Sequence, residues 1–181
     1  MNQKELEIYI HIPFCIKKCS YCDFLSGPAT EQTVESYMAA LFAEIEGKSG
    51  KYRDRRVVSV FIGGGTPSRL TGEQKLMACI RRHFSLDPAA EITTEVNPGT
   101  VSEEKLRTFR KAGINRLSIG MQSAQDEELR ELGRIHDFAG FLEAYEAAVQ
   151  AGYTNINVDV MSGLPGQTLE SLRDTLGKLL A

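Results

Sequence analysis

Apolar residues along this 181-residue chain fall into two alternating rhythms. Short runs rich in isoleucine and valine recur as EIYIHI, VVSVFI, EITTEV, NRLSIGM and TNINVDV. Runs of this length and composition read as buried strands. Between them lie longer stretches with helical periodicity: TVESYMAALFAEIE, GEQKLMACIRRHF, SEEKLRTFRKAG and AGFLEAYEAAVQAG. The last two end in Gly113 and Gly152, the residue type expected just past a helix end. Thr71 and Ser102 precede their helices and are placed to cap them. A final helical stretch, TLESLRDTLGKLLA, runs to Ala181. Strand alternating with helix in this way is the grammar of a parallel sheet with crossover helices, an α/β fold. On pattern alone a doubly wound sheet and a barrel both stay open. No low-complexity segment or linker divides the chain, so residues 1–181 read as one domain. Five strands do not close a barrel, and no closing element precedes the last residue, as expected of the front part of a longer protein.

Composition narrows the class of protein. The hydrophobic fraction of 42% and charged fraction of 25% are ordinary for a globular chain long enough to bury a core. No apolar run approaches membrane-spanning length, and MNQKELEIYI has no basic flank before an apolar core; the expectation is a cytoplasmic protein without a membrane span. A formal net charge of -3 gives no reason to expect nucleic-acid binding. The densest basic patch, Lys51, Arg53, Arg55 and Arg56, is interrupted by Asp54 and reads as a solvated face before a strand.

The strand ends carry the candidate chemistry. In parallel α/β folds, reactive groups collect beyond the carboxyl ends of the strands. Here the first strand runs into HIPFCIKKCSYCDF and the second into GGGTPS, Gly63 to Ser68. The third ends at Glu95 in EVNPG, the fourth at Gln122 in GMQS, and the fifth contains Asp159 before GLPGQT. Five successive strands aim cysteine, glycine or polar groups at one face, which we take as the active face.

Three of the four cysteines, Cys15, Cys19 and Cys22, stand within eight residues of one another. In a reducing compartment such crowding points to metal binding or catalysis, not to a disulfide. A four-iron, four-sulfur cube offers four corners, and three thiolates leave one iron open to another ligand. Structural zinc prefers four ligands, and His11, inside a strand, is the only nearby residue to complete a set. A plain electron carrier would want a fourth cysteine. The remaining one, Cys79, has a spacing that suits the buried side of a helix and reads as a small core residue.

The cysteine spacing C-x3-C-x2-C after a first strand, with aromatic Tyr21 before the third cysteine, resembles the radical S-adenosylmethionine (SAM) superfamily. YIHIPFC, FIGGGTPS, EVNPG, GINRLSIGMQS, LGRIH and NVDVMSGLPGQT are, in that order, similar to the oxygen-independent coproporphyrinogen III oxidase family. The resemblance implies a partial (βα)6 barrel, of which about five βα units are present here. It implies that Cys15, Cys19 and Cys22 ligate a [4Fe-4S] cluster whose open iron is chelated by the amino and carboxylate groups of SAM. An electron from the cluster would then break the sulfonium C–S bond of SAM, giving methionine and a 5′-deoxyadenosyl radical.

By the same resemblance Tyr9, Gly64 and Glu95 contact this SAM, while Tyr21, Gly65, Thr66, Gln122, Arg134 and Asp159 surround a second SAM that the oxidases hold. Glycines in GGGTPS would let backbone groups approach the ligand, and the segment lacks the Lys-Ser/Thr ending of a triphosphate loop. His11 reads as a buried histidine bonded to its neighbours, His83 as a helix-terminus charge, and His136 as helix-end chemistry; none is assigned to catalysis.

One position departs from the oxidase pattern. The oxidases usually continue to a further cysteine two residues on, where this chain has Phe24. That ending, CDF, resembles the haem-chaperone branch of the family, and it implies haem binding and delivery to haem-receiving proteins. The alternative is the oxidase activity itself, decarboxylation of two propionates of coproporphyrinogen III to vinyl groups in porphyrin biosynthesis. Either reading implies a haem or porphyrin ligand and a reducing electron donor such as a flavodoxin or ferredoxin.

Overall fold

The computed structural model describes residues 4–180, so the expected run of the last helix to Ala181 lies outside the described residues. Strands β1 (Lys4–Ile12), β2 (Arg55–Gly64), β3 (Ser85–Val96), β4 (Arg116–Gln122) and β5 (Ile156–Val160) pair in chain order, each parallel to the next. The connecting helices are α1 (Glu31–Ser49), α2 (Glu73–His83), α3 (Glu103–Ala112), the short α4 (Asp126–Glu131) and α5 (Phe138–Gln150), with α6 (Leu169–Leu180) after the last strand. All five expected strands and five expected helices form. Nothing in the apolar pattern announces α4, because six residues are too few for a period to show. Among the described residues β1 and β5 are the free edges of an open sheet, as in a barrel left unclosed.

Strand alternation divides the sheet into two faces. Ile10, Ile12, Val60, Ile62, Ile92, Val96, Leu117, Ile119 and Met121 point into an apolar core. Helix residues Leu76, Met77, Ile80, Leu106, Phe109 and Phe141 complete that core, with Phe109 and Leu106 fully buried. The opposite parity carries His11, Phe61, Glu95, Ser118, Asn157 and Asp159, so these strands are one-sided and not apolar on both faces. Register then sets polar groups side by side: His11 pairs with Gly63, Glu95 with Ser118, and Gly120 with Asp159.

The helix ends are fixed locally and then stapled to one another. Ser102 caps α3 by accepting the Lys105 N–H at 3.3 Å, and Gly113 ends that helix at φ +94°. Thr71 does not cap α2. The N-cap is Gly72, at φ +125°, with no side-chain cap; its own N–H donates to the Glu73 carboxylate (3.1 Å). Arg81 of α2 donates to the last carbonyl of α3, Ala112 (2.7 Å). Arg107 and Arg110 of α3 donate in turn to Gln150 and Gly152 at the end of α5. The basic patch is also engaged: Arg56 pairs with Asp87 at 2.9 Å and with Glu5 at 3.7 Å, while Lys51 and Arg55 lie over the Tyr52 ring. Among the described residues no helix is long and apolar enough to cross a membrane.

Candidate functional site

Beyond the carboxyl ends of the strands lies a cleft into which five consecutive strand ends open. Eleven of the twelve residues singled out from the sequence line it: Cys15, Cys19, Cys22 and Tyr21 from the first loop; Gly64, Gly65 and Thr66 from the second; and Glu95, Gln122, Arg134 and Asp159. Tyr9 is the exception. It is 60% exposed, stacks on Phe61 with ring centroids 6.1 Å apart, and shares a hydrogen with Nδ1 of His11 at 2.9 Å.

The cysteine loop is closed at its base and clamped at its tip. Phe14 and Gly27 form a β-bridge, with the Cys15 N–H donating to Gly27 and the Gly27 N–H to Pro13, both at 2.9 Å. Arg69 donates to the Cys15 carbonyl at 2.9 Å. At the tip, the Ser20 N–H donates to Leu132 (3.0 Å), tying the loop to the segment after α4. Through that tie Arg134 reaches the loop. Its Nη1 lies 3.7 Å from Cys19 Sγ and 3.4 Å from the Tyr21 hydroxyl, and its Nη2 donates to the Gly120 carbonyl at 2.7 Å. Burial pushes the Tyr21 phenol up, with the Arg134 charge opposing it.

Two glycines let the second loop lie against the first. Gly64 adopts φ +118°, and a Cβ there would stand 2.7 Å from the His11 ring. A Cβ on Gly65 would stand 2.9 Å from both Cys15 Sγ and the Phe14 carbonyl oxygen. Because Gly64 and Gly65 carry no side chain, the Gly65 and Thr66 N–H groups reach the Ile12 and Phe14 carbonyls, each at 2.7 Å. The glycines therefore seat one loop on another as well as opening backbone toward the cleft.

Acidic groups hold the floor. Glu95 accepts the Gly64 N–H at 2.9 Å. Burial raises its pKa above the ordinary carboxylate range; the Gly64 bond pulls the other way, and the Asp159 charge adds to the rise. Asp159 accepts from Asn157 Nδ2 at 2.6 Å and from Ser118 Oγ at 3.1 and 3.2 Å. Gln122 ends β4 at φ +71°. His11 is half-buried and bonded on both nitrogens, to Tyr9 and to the Leu25 carbonyl at 3.1 Å.

Sequence reasoning missed several lining residues. Lys17 and Asn97 line the cleft, and the Asn97 Oδ1 is buried without a partner, as is Arg134 Nε. Both sit inside motifs already singled out, so only their orientation was hidden. Ser118 lies two residues before a strand-end glycine, at a position that alternation alone marks as facing the cleft.

The donor set suits an iron–sulfur cluster. All four cysteines are free thiols, and three of them line one cleft. Among the described residues no three His, Cys, Asp or Glu side chains converge as a single metal ion requires. Thiolates are the ligands that iron–sulfur clusters take, and Cys15, Cys19 and Cys22 present three of them to one cleft. Cys79 is apart from them, on α2 and packed against the core, where burial raises its thiol pKa.

The family model described as the radical SAM superfamily matches residues 9–179. The chain is 42% identical over 177 residues to the heme chaperone HemW of Escherichia coli, covering 96% of this chain and 46% of that protein. It is 40% identical over 178 residues to the heme chaperone HemW of Haemophilus influenzae, covering 94% and 46%. Among solved structures, it resembles the radical SAM enzyme coproporphyrinogen III oxidase (HemN) from Escherichia coli, at 33% identity and a TM-score of 0.89, over 98% of this chain and 41% of that one. The chain thus spans about half the length of the curated relatives it matches.

Proposed function

The chain belongs to the radical SAM superfamily, and from that premise we propose that residues 1–181 are one radical SAM core domain serving a haem chaperone. Membership implies a [4Fe-4S] cluster and SAM in general. In our reading Cys15, Cys19 and Cys22 hold the cluster, and Gly64 and Glu95 contact the SAM on its open iron, while Tyr9 acts from outside the cleft through its hydrogen bond to His11. Tyr21, Gly65, Thr66, Gln122, Arg134 and Asp159 face the remaining space, where a second SAM or another ligand would sit. When bound, this pair supplies one-electron reductive chemistry on the sulfonium group, with electrons from a donor such as a flavodoxin or ferredoxin.

The protein's own residues orient and shield. Arg134 places its guanidinium 3.7 Å from Cys19 Sγ and braces the tip of the cysteine loop. Glu95 fixes the Gly64 amide, and Asn157 and Ser118 hold the Asp159 carboxylate toward the cleft. Thiols kept reduced suit a cytoplasmic setting.

The observation that carries the chaperone reading is Phe24. It lines the cleft mouth, 64% exposed, two residues after the last of the three cysteines. The similarity to heme chaperones at 40 and 42% identity supports the same reading. The likeness to the oxidase structure at 33% identity favours a second one, decarboxylation of coproporphyrinogen. The test is to reconstitute the chain anaerobically with iron and sulfide, reduce it, and supply SAM with either haem or coproporphyrinogen III. We expect a four-iron paramagnetic signal that shifts with SAM, saturable haem binding, and no protoporphyrinogen. Appearance of protoporphyrinogen would overturn the chaperone-only reading in favour of the oxidase.

A further inference from the structure

Gln122 is the one non-glycine residue with a positive φ among the described residues. A side chain of this kind stays in the left-handed region only when its surroundings impose it. Those surroundings form a closed ring of hydrogen bonds. The Met161 N–H donates to the Gln122 carbonyl at 2.9 Å. Gln167 Nε2 donates to the Met161 carbonyl at 3.4 Å and to Oε2 of Glu128 at 3.2 Å. The same Oε2 accepts from Ser123 Oγ at 2.6 Å, and Ser123 directly follows Gln122.

Glu128 is the hub where these segments meet. It is buried on α4, outside the cleft lining, and its other oxygen accepts Ser171 Oγ of α6 at 2.7 Å. The GLPGQT loop hangs from the same hub, because Gln167 Oε1 accepts the Gly163 N–H at 2.7 Å. A buried carboxylate is costly unless donors satisfy it, and here every donor is neutral. Burial alone would raise its pKa, but the bonds from Ser123, Ser171 and Gln167 outweigh it and hold the group below the ordinary carboxylate range. Three donors from three segments call for a group that only accepts, which an ionised carboxylate is and an amide is not.

We propose that Glu128 is a positioning residue for the cleft: its carboxylate closes the hydrogen-bonded ring that holds Gln122 in its left-handed turn. It thereby ties the loop after β5 to the end of β4. The link to the cleft rests on the reading of Gln122 as a SAM-facing residue; the ring itself does not.

The experiment compares wild type, Glu128→Ala and Glu128→Gln by amide hydrogen exchange and by SAM titration of the cluster-reconstituted chain. In Glu128→Ala the Met161 amide should exchange about tenfold faster, while Leu106 in α3 keeps its wild-type rate. The apparent dissociation constant for SAM should rise about tenfold, as expected when a supporting partner is lost, and Glu128→Gln should recover part of both effects. Unchanged exchange at Met161 overturns the proposal, as does faster exchange at every amide, which would mark Glu128 as merely structural. Release of Met161 with unaltered SAM affinity overturns the link to the cleft. If wild type binds no SAM, the reading of the cleft falls, and Met161 exchange alone then decides whether Glu128 closes the ring.

Discussion

Acid should loosen this protein through one histidine. His136 is buried between α4 and α5, with Nε2 3.4 Å from the Met121 carbonyl oxygen and Nδ1 without a partner. Burial first, and the Arg134 charge second, push its pKa down from 6.5 to about 4. The folded protein therefore carries the neutral ring down to about that pH, whereas an unfolded chain protonates it near 6.5. Between these values the unfolded state binds the extra proton, so stability is full above the window and falls as pH is lowered through it. At 1.36 kcal/mol per pH unit the whole window is worth about 3 kcal/mol, and about 2 kcal/mol of that is gone at pH 5. That is a large share of the roughly 5–15 kcal/mol that holds a domain folded. The assay is urea unfolding at pH 7.5, 6 and 5 for wild type and for His136→Gln, whose amide can donate to Met121 but does not titrate. Wild type should lose about 2 kcal/mol more than the variant between the extremes. Parallel pH profiles would refute the argument.

Three further outcomes follow from the same geometry. Cys19→Ala should lose most of the iron retained after anaerobic reconstitution, whereas Cys79→Ala, on α2, should keep it; full iron in both would refute the ligand assignment. Gly65→Ala would drive a Cβ to 2.9 Å from Cys15 Sγ and from the Phe14 carbonyl oxygen, a backbone atom that cannot swing aside. It should cost about 1–3 kcal/mol in chemical unfolding and lower iron retention as well, since the displaced neighbour is one of the cysteines proposed to hold the cluster. Arg110→Ala removes the donor to the Gly152 carbonyl and the cation 5.3 Å from the Tyr153 ring centroid. A loss of about 1–2 kcal/mol is expected in urea, with iron retention untouched, because the staple lies on the helical side of the sheet.

Local order was the most legible part of the chain. Gly113 ends α3 and Ser102 caps it because each acts within one turn of its own position. Thr71 misled because the helix begins one residue later, behind Gly72 at φ +125°, a conformation that favours glycine over a capping side chain. The short α4 and its Glu128 were invisible for a related reason: a buried glutamate on six residues has no periodicity to declare it, and its donors lie up to 43 residues away.

By itself, then, the sequence determined that there are five strand–helix units, that three thiols share one short loop, and that glycine and polar residues stand at successive strand ends. Those are properties of spacing, and spacing is local. Only the tertiary structure decided which of these groups meet. Sheet register sets Gly120 beside Asp159 and Glu95 beside Ser118, and it leaves Tyr9 outside the cleft that the other eleven line. The fold also brings Arg134 to within 3.7 Å of Cys19, across 115 residues of chain. No local pattern encodes such an approach, because it depends on how parallel strands stack in order and on loops that fit only where two glycines carry no side chain.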